Sequence, residues 1–364
     1  MNTVSIDSDP LLIVGKGVGK VWTGGESGLF SKGENWSDGQ PPGTGDMLVF
    51  GRSTTLETDI ADIGAQGISI YVQGGCTVTN NCEFTGSGLL AKYGQGVLRT
   101  RPVLTTTGGI KIYDGSVYPD RGSGISVLGE GTVEIDATSG SAALLDSGVW
   151  DCVVSNHVKI TSANPNSSSI RYSNGLKLVN GIESDSDLTI EGLWGPLTVL
   201  GEVKSPGKTM SLIIDGRHSA FFTSYLCDTI DCSVKVTSYL GCGILEMQGV
   251  SSNTENTLTV NGCTNRLTAA AYWGGTNVVV KKTGTFPAHL ILEGESNLNP
   301  EATLTLSDGG TVEVTNGMKV NVAHLVTDGV VRRSGVYTAS NLPNYIRGSG
   351  RIQVGFPATI IIIR

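Results

Sequence analysis

LAKYGQGVLRTRPVLTTTGGIKIYDGSVY, residues 90–118, decides how this chain folds. A Lys-x-Gly-x-Gly turn, Lys92 to Gly96, leads into a short apolar strand at Val97-Leu98. A Thr-rich connection reaches Gly108-Gly109, and the alternating strand Ile110-Lys-Ile-Tyr113 follows. Asp114-Gly115 then turns the chain into another strand. Apolar residues at every second position read as half-buried strands, and Gly, Asn and Asp between them read as tight turns.

The same rhythm runs outward in both directions. Segments such as Ile68–Val72, Thr132–Ile135, His157–Ile160, Leu176–Val179 and Leu197–Leu200 carry it before the middle. Ser211–Ile214, Ser233–Val236, Thr257–Val260, Asn277–Val280, His289–Leu292, Thr303–Leu306, Thr311–Val314 and Lys319–Val322 carry it after. Their spacing of roughly 8–12 residues is that of serial short strands. Helical signal is confined to Leu267–Tyr272, which is long enough for one turn. Serial strands without a change of composition and without a propeller-blade signature predict an all-β fold: a right-handed parallel β-helix (β-solenoid) with capped ends. In such a stack alternate residues point inward and build a column of Val, Ile and Leu.

Three segments follow. Residues 1–53 form an N-terminal arm and a Trp-rich cap, in which Trp22, Trp36 and Phe50 plug the end of the stack. Residues 54–322 form the β-helix body, and 323–364 an end unit and terminal strand. Terminal coils of a solenoid need caps, because they otherwise expose unpaired edges.

Composition agrees. Of 364 residues 51 are Gly and 16% are charged, while 39% are hydrophobic, enough to build a core and to argue against disorder. The net charge of −8 and a pI near 5.1, with no basic stripe, argue against nucleic-acid binding. No apolar run reaches the roughly 18 residues of a membrane span. No basic region precedes the short apolar run near Leu11, so no signal peptide is expected, and folding in a reducing cytoplasm is. The seven cysteines contain no C-x-x-C. They read either as small buried core residues or as a partial disulfide set, with Cys76–Cys82 and Cys227–Cys232 as the near pairs.

The Leu90–Leu98 stretch with Thr107–Val117 resembles the autotransporter-associated β-strand repeat of bacterial passenger domains. Weaker echoes stand at Val280–Phe286 with Leu290–Gly294, and at Gly175–Leu178 with Leu188–Val199. Trp22 to Phe50 is similar to the lead-in that precedes those repeats, and Gly335–Ile352 to the end unit that follows them. The resemblance implies a right-handed parallel β-helix displayed outside a cell, without fixing an activity. Against that family the chain is expected to lack a signal peptide and a C-terminal translocator barrel or sorting helix, either because it is a piece of a longer protein or because the repeat is reused elsewhere. Reuse of the repeat in a phage particle, assembled in the cytoplasm, accommodates both departures.

Candidate chemistry is sparse. Gly15–Lys20 has the glycines of a phosphate loop, but Val21 stands where Ser or Thr must follow the lysine. Carboxylate pairs for glycoside cleavage are Asp146 with Asp151, Asp185 with Asp187, and Asp228 with Asp231, and acids in turns are common for backbone reasons. His157, His218, His289 and His324 share no motif and read as surface or core histidines. No zinc-ligand spacing occurs, so neither a metal nor a cofactor is expected. The most unusual cluster is Arg217, His218, Phe221, Phe222 and Tyr225, either a recognition loop for sugar or protein or a loop packed on the column. The reading these features support is a non-enzymatic structural or adhesive β-helical protein of an exterior surface, a phage particle component or a secreted passenger-like protein. The alternative is a carbohydrate-active β-helix, a polysaccharide hydrolase or lyase. Self-association is expected, a trimer among the options, with the apolar tail Ile360–Ile363 as an intersubunit strand. A cell-surface glycan or protein is the expected partner.

Overall fold

The alternating segments become strands at nearly the expected positions in the computed structural model. It describes residues 19–121, 128–139, 143–149, 151–193, 195–214, 223–226, 229–238 and 243–355, with backbone alone at 223–226. Ile68–Val72, His289–Leu292, Thr311–Val314 and Lys319–Val322 have the predicted bounds. The described residues are about 1% helical, and their parallel strands stack as a right-handed β-solenoid of about 11 turns. Leu267–Tyr272 closes one turn, in which the Ala271 amide donates to Thr268 O at 3.0 Å, between two strands. The chain divides into two compact units, 1–188 and 189–364.

In the first unit, strands Met47–Phe50, Ile68–Val72, Leu90–Tyr93, Ile110–Ile112, Val133–Asp136, Val158–Ser162 and Ile182–Ser184 pair in parallel, each with the next. One inward column runs Leu48, Ile70, Lys92, Ile112, Ile135, Ile160, Ser184. A lysine thus occupies an isoleucine position. A second stack, which a later strand joins into the same sheet, runs through Thr54–Asp62, Thr77–Gly86, Val97–Thr100, Gly115–Pro119, Ala143–Ser147 and Ile170–Tyr172. Cys152–Val154 pairs with Leu176–Leu178 in a third.

The N-terminal plug is aromatic. Trp22 and Trp36 meet edge to face with ring centroids 5.1 Å apart, and both touch Phe50. Phe30 joins Trp36 to Phe84. Both indole N–H groups donate to carbonyls, Trp22 to Gly25 O and Trp36 to Phe30 O, so these large side chains are buried without an unpaired polar end.

The second unit repeats the pattern. One sheet stacks Val203–Ile214, Ile230–Thr237, Thr257–Asn261, Asn277–Lys281, Thr303–Ser307 and His324–Thr327. Another stacks Leu197–Val199, Thr223–Leu226, Ile244–Met247, Thr264–Leu267, His289–Leu292, Thr311–Val314 and Ile346–Arg347. At the C-terminal end two antiparallel pairs join the parallel ones, which continue in Arg351–Val354 on Lys319–Val322. Val330–Val331 folds back on His324–Thr327, and Gly335–Tyr337 runs antiparallel to Arg351–Val354.

The Lys-x-Gly-x-Gly motif has a physical reason here. Lys92 is fully buried, and its Nζ donates to Tyr93 O at 2.8 Å, Gly94 O at 2.6 Å and Asp114 O at 3.1 Å. The ammonium ties the turn of its own coil to the turn of the next. A side chain at Gly94, where φ is +75°, would place its Cβ 2.3 Å from Val72 O. One at Gly96 would lie 2.4 Å from Gln73 O. The glycines let consecutive turns approach backbone to backbone, and the lysine satisfies the carbonyls that this approach leaves inside.

Candidate binding faces

Outward-facing residues fall into columns, because parallel strands in register stack like on like. One column of the first unit is charged: Lys111, Glu134, Lys159 and Glu183 follow one another on successive coils. Lys111 Nζ lies 3.0 Å from Glu134 and 3.0 Å from Asp136, and it also sits 4.8 Å from the Tyr113 ring centroid. Burial works against its charge, but the hydrogen bonds to Glu134 and Asp136 outweigh it and hold the ammonium above the ordinary lysine range. Beside it, Tyr113 stacks on Tyr93 at 4.6 Å with the rings 7° from parallel. On the second stack Arg99 lies over the Tyr118 ring at 4.6 Å, Arg101 pairs with Asp120 at 2.8 Å, and Arg171 pairs with Asp146 at 2.5 Å.

Next to these struts, Thr55, Thr77 and Thr79, with Glu26, Ser53 and Thr54, line an open depression of about 340 Å³. Ser27, Thr55, Thr79 and Arg99 succeed one another in its register.

The second unit separates charge from hydroxyl more cleanly. On the sheet containing Thr264–Leu267, Glu246, Arg266, Ile291, Glu313 and Arg347 share a column, and Arg266 reaches both Glu246 and Glu293. His289 sits there too. Its Nδ1 is 2.7 Å from Thr311 Oγ1 and its Nε2 3.1 Å from Glu313. Burial lowers its pKa, and the Glu313 carboxylate opposes that.

The sheet containing Thr257–Asn261 is different. Thr209 stacks on Ser233 and Ser211 on Lys235. Lys235 stacks on Thr259, and the Thr257 amide donates to Ser233 Oγ at 2.9 Å. Thr257 and Thr259 then meet Asn277 and Val279, these meet Thr303 and Thr305, and the last coil presents His324 and Val326. All of these outward positions are half-buried or exposed. The result is a flat array of hydroxyl, amide and methyl groups, two columns wide and six coils long.

The residues singled out in the sequence divide as follows. Arg217, His218, Phe221 and Phe222 lie outside the described residues. Tyr225 is placed by its backbone alone, in register with Thr198 and Glu246. Gly15–Val18 of the phosphate-loop look-alike and the tail Ile360–Ile363 also lie outside. Asp146 is taken by Arg171, and Asp151 stands in a turn at φ 51°. Asp185 and Asp187 are exposed in their turn. Asp231 accepts from Asn253 Nδ2 at 3.1 Å, and Asp228 lies outside the described residues. His157 contacts Asn180 O and Glu183, and His324 is exposed.

Cys76 and Cys82 form no bridge, and Cys152, Cys232 and Cys263 are free thiols as well. Burial pushes Cys82, Cys232 and Cys263 up to about 12, which makes them inert core residues. Cys227, the other half of a near pair, lies outside the described residues. Among the described residues no group of three or more His, Cys, Asp or Glu side chains is placed to hold a metal ion, and no helix is long and apolar enough to cross a membrane. The Thr-x-Thr array is absent from the sequence-based expectations, although Thr257-x-Thr259 and Thr303-x-Thr305 carry its signal in plain view.

No family model, curated protein or solved structure matches the chain. What it defines is an architecture: a parallel β-solenoid with one ionic and one hydroxylic face on its second unit.

Proposed function

We propose that this chain is a non-enzymatic structural or adhesive β-helical protein working on an exterior surface, as a phage particle component or a secreted passenger-like protein. One observation carries the reading. Its outward charges are joined coil to coil, as in Lys111 with Glu134 and Asp136, Arg171 with Asp146, and Arg266 with Glu246 and Glu293, and so brace the stack. The second unit also carries a long face of mostly hydroxyl, amide and methyl side chains. Bracing and a long uniform face are what a scaffold that adheres by many weak contacts requires. The stacking of Leu90–Tyr118 and the antiparallel end at Gly335–Tyr337 support the passenger-like comparison at the level of architecture.

The test incubates the full chain with a panel of cell-surface polysaccharides, measuring retention and bond cleavage together. Retention without new reducing ends or unsaturated sugars is the expected result. Release of either product overturns this reading in favour of a hydrolase or lyase.

A further inference from the structure

We infer that the Thr-x-Thr face of the second unit is a docking surface for an extended, neutral, β-linked polysaccharide chain lying along the solenoid axis. The inference rests on the adhesive reading above and specifies its site and ligand class.

Spacing is the first argument. Adjacent coils are separated by about 4.8 Å, and residues two apart on a strand by about 6.6 Å. Thr257, Thr259, Thr303 and Thr305 are therefore points of one lattice rather than four separate surface residues. A β-linked glycan in its extended form advances by a comparable length per sugar. Each sugar can then meet one coil, and the next sugar meets the same chemistry on the next coil. A coiled α-linked chain cannot keep that register.

Charge is the second argument. Apart from Lys235 and His324, the array carries no ionisable group, although the chain as a whole has a net charge of −8. On the other sheet one column collects Glu246, Arg266, Glu313 and Arg347, whereas on this one the charges flank the array, at Asp231 and Lys281. A ligand bound by this face meets hydroxyls, amides and methyl groups, the complement of a neutral sugar.

Preorganisation is the third. Threonine is stiff about χ1, and Thr259, Thr303 and Thr305 are held by strand pairing on both sides, Thr257 by pairing on one side and its amide bond to Ser233 Oγ on the other. Their hydroxyls lose little freedom when a ligand binds. None of the four has a hydrogen-bond partner for its hydroxyl among the described residues, so each is available. A single such bond contributes too little net free energy to hold one sugar. Over six coils, a span of about 24 Å, the contributions accumulate. Binding by this face must therefore depend steeply on ligand length.

The experiment titrates the full chain with β-1,4-linked gluco-oligosaccharides and N-acetylglucosamine oligosaccharides, from disaccharide to octasaccharide, by calorimetry. Affinity should rise with each added sugar up to the hexasaccharide and then level off. The double variant Thr259→Lys with Thr305→Lys should lose about a hundredfold for the longest ligands. The conservative pair Thr259→Ser with Thr305→Ser should retain most of the binding. Lys111→Met, on the first unit, should bind as the parent does, and an unchanged unfolding midpoint of the lysine variant shows that its fold is intact.

Equal binding by the lysine variant and the parent overturns the inference while leaving the adhesive reading in place. Failure of the parent to bind any neutral oligosaccharide overturns it too, as does shaping of ice crystals without sugar binding, which would assign the lattice to solid water. Cleavage of the oligosaccharides sinks the adhesive reading instead.

Discussion

Two buried hubs solve the same problem with different chemistry. At Lys92 in the first unit an ammonium gathers the carbonyls of Tyr93, Gly94 and Asp114. At Asn297 in the second unit an uncharged amide donates to Thr268 O at 2.7 Å and Ala271 O at 2.8 Å, while its oxygen accepts from the Gly294 amide. Both are fully buried. Each binds one turn to the turn of a neighbouring coil, 22 residues away for Lys92 and up to 29 for Asn297. A solenoid turns its chain in every coil, and each turn points carbonyls inward that no strand can take. Below about pH 7 the lysine makes charge-assisted bonds, which are roughly twice as strong as neutral ones, but it must then keep a cation out of water. The amide makes weaker bonds and carries no charge to desolvate. The first hub is strong and pH-sensitive, and the second is weaker and indifferent to pH.

The most damaging way to break this comparison is Lys92→Met. Methionine fills the same column between Ile70 and Ile112, so volume is nearly kept. The carbonyls of Tyr93, Gly94 and Asp114 lose the donor they share. Each buried unpaired group costs about 1–3 kcal/mol, and partial relaxation of the turn recovers some of it. The expected loss is about 4 kcal/mol at pH 9, read from urea unfolding. A loss below about 1 kcal/mol would mean that the carbonyls are satisfied some other way.

The pH dependence of that same difference comes next in size. Burial pushes the Lys92 ammonium down to about 7, and the Asp114 carboxylate opposes the shift. In the unfolded chain lysine titrates near 10.4. Between about pH 7 and 10 the unfolded chain therefore binds more protons than the folded one, and stability rises with pH through that window. Below about pH 7 the ammonium is charged in both states and its burial penalty is constant. Burial raises Cys82, Cys232 and Cys263, which lowers stability at higher pH, but these thiols act equally in parent and variant. The parent's advantage over Lys92→Met should thus grow by about 3 kcal/mol from pH 7 to 10. A constant difference would show that Lys92 stays charged in the fold throughout.

The two hubs also mark how far the sequence can be read. Strand positions were legible because the period-2 pattern is local: Ile68–Val72 and His289–Leu292 announce themselves without their neighbours. The glycines of Lys-x-Gly-x-Gly were legible as turns. What lay hidden is that Lys92 points inward, although the alternation Leu90-Ala-Lys92 places it on the same side as Leu90. A lysine in an apolar register reads as exposed until the carbonyls around it are known, and those come from a coil 22 residues away. The hydroxyl face was hidden for the same reason. Thr257-x-Thr259 and Thr303-x-Thr305 become a lattice only once register sets Asn277 and Val279 between them. Register is a long-range quantity, and loops of varying length erase it from the sequence.

Asn297→Leu is the smaller and sharper test. Leucine keeps asparagine's branching at Cγ but is larger, so the substitution also crowds buried neighbours such as Leu298 and Trp273, whose amide donates to Asn297 O. It leaves Thr268 O, Ala271 O and the Gly294 amide without their partner. These are neutral bonds, and part of their loss is returned by the added apolar burial. The expected cost is about 2 kcal/mol, half that of Lys92→Met. It should be the same at pH 7 and pH 10, because no ionisable group is added or removed. Hydrogen exchange makes the test local: the amides of Gly294 and Ala271 should lose protection, while those of the coil around Lys92 keep theirs. Loss of protection at both hubs together would show that the two units unfold as one cooperative body. A cost at pH 9 equal to that of Lys92→Met would mean that an amide caps a buried turn as well as the lysine amine does.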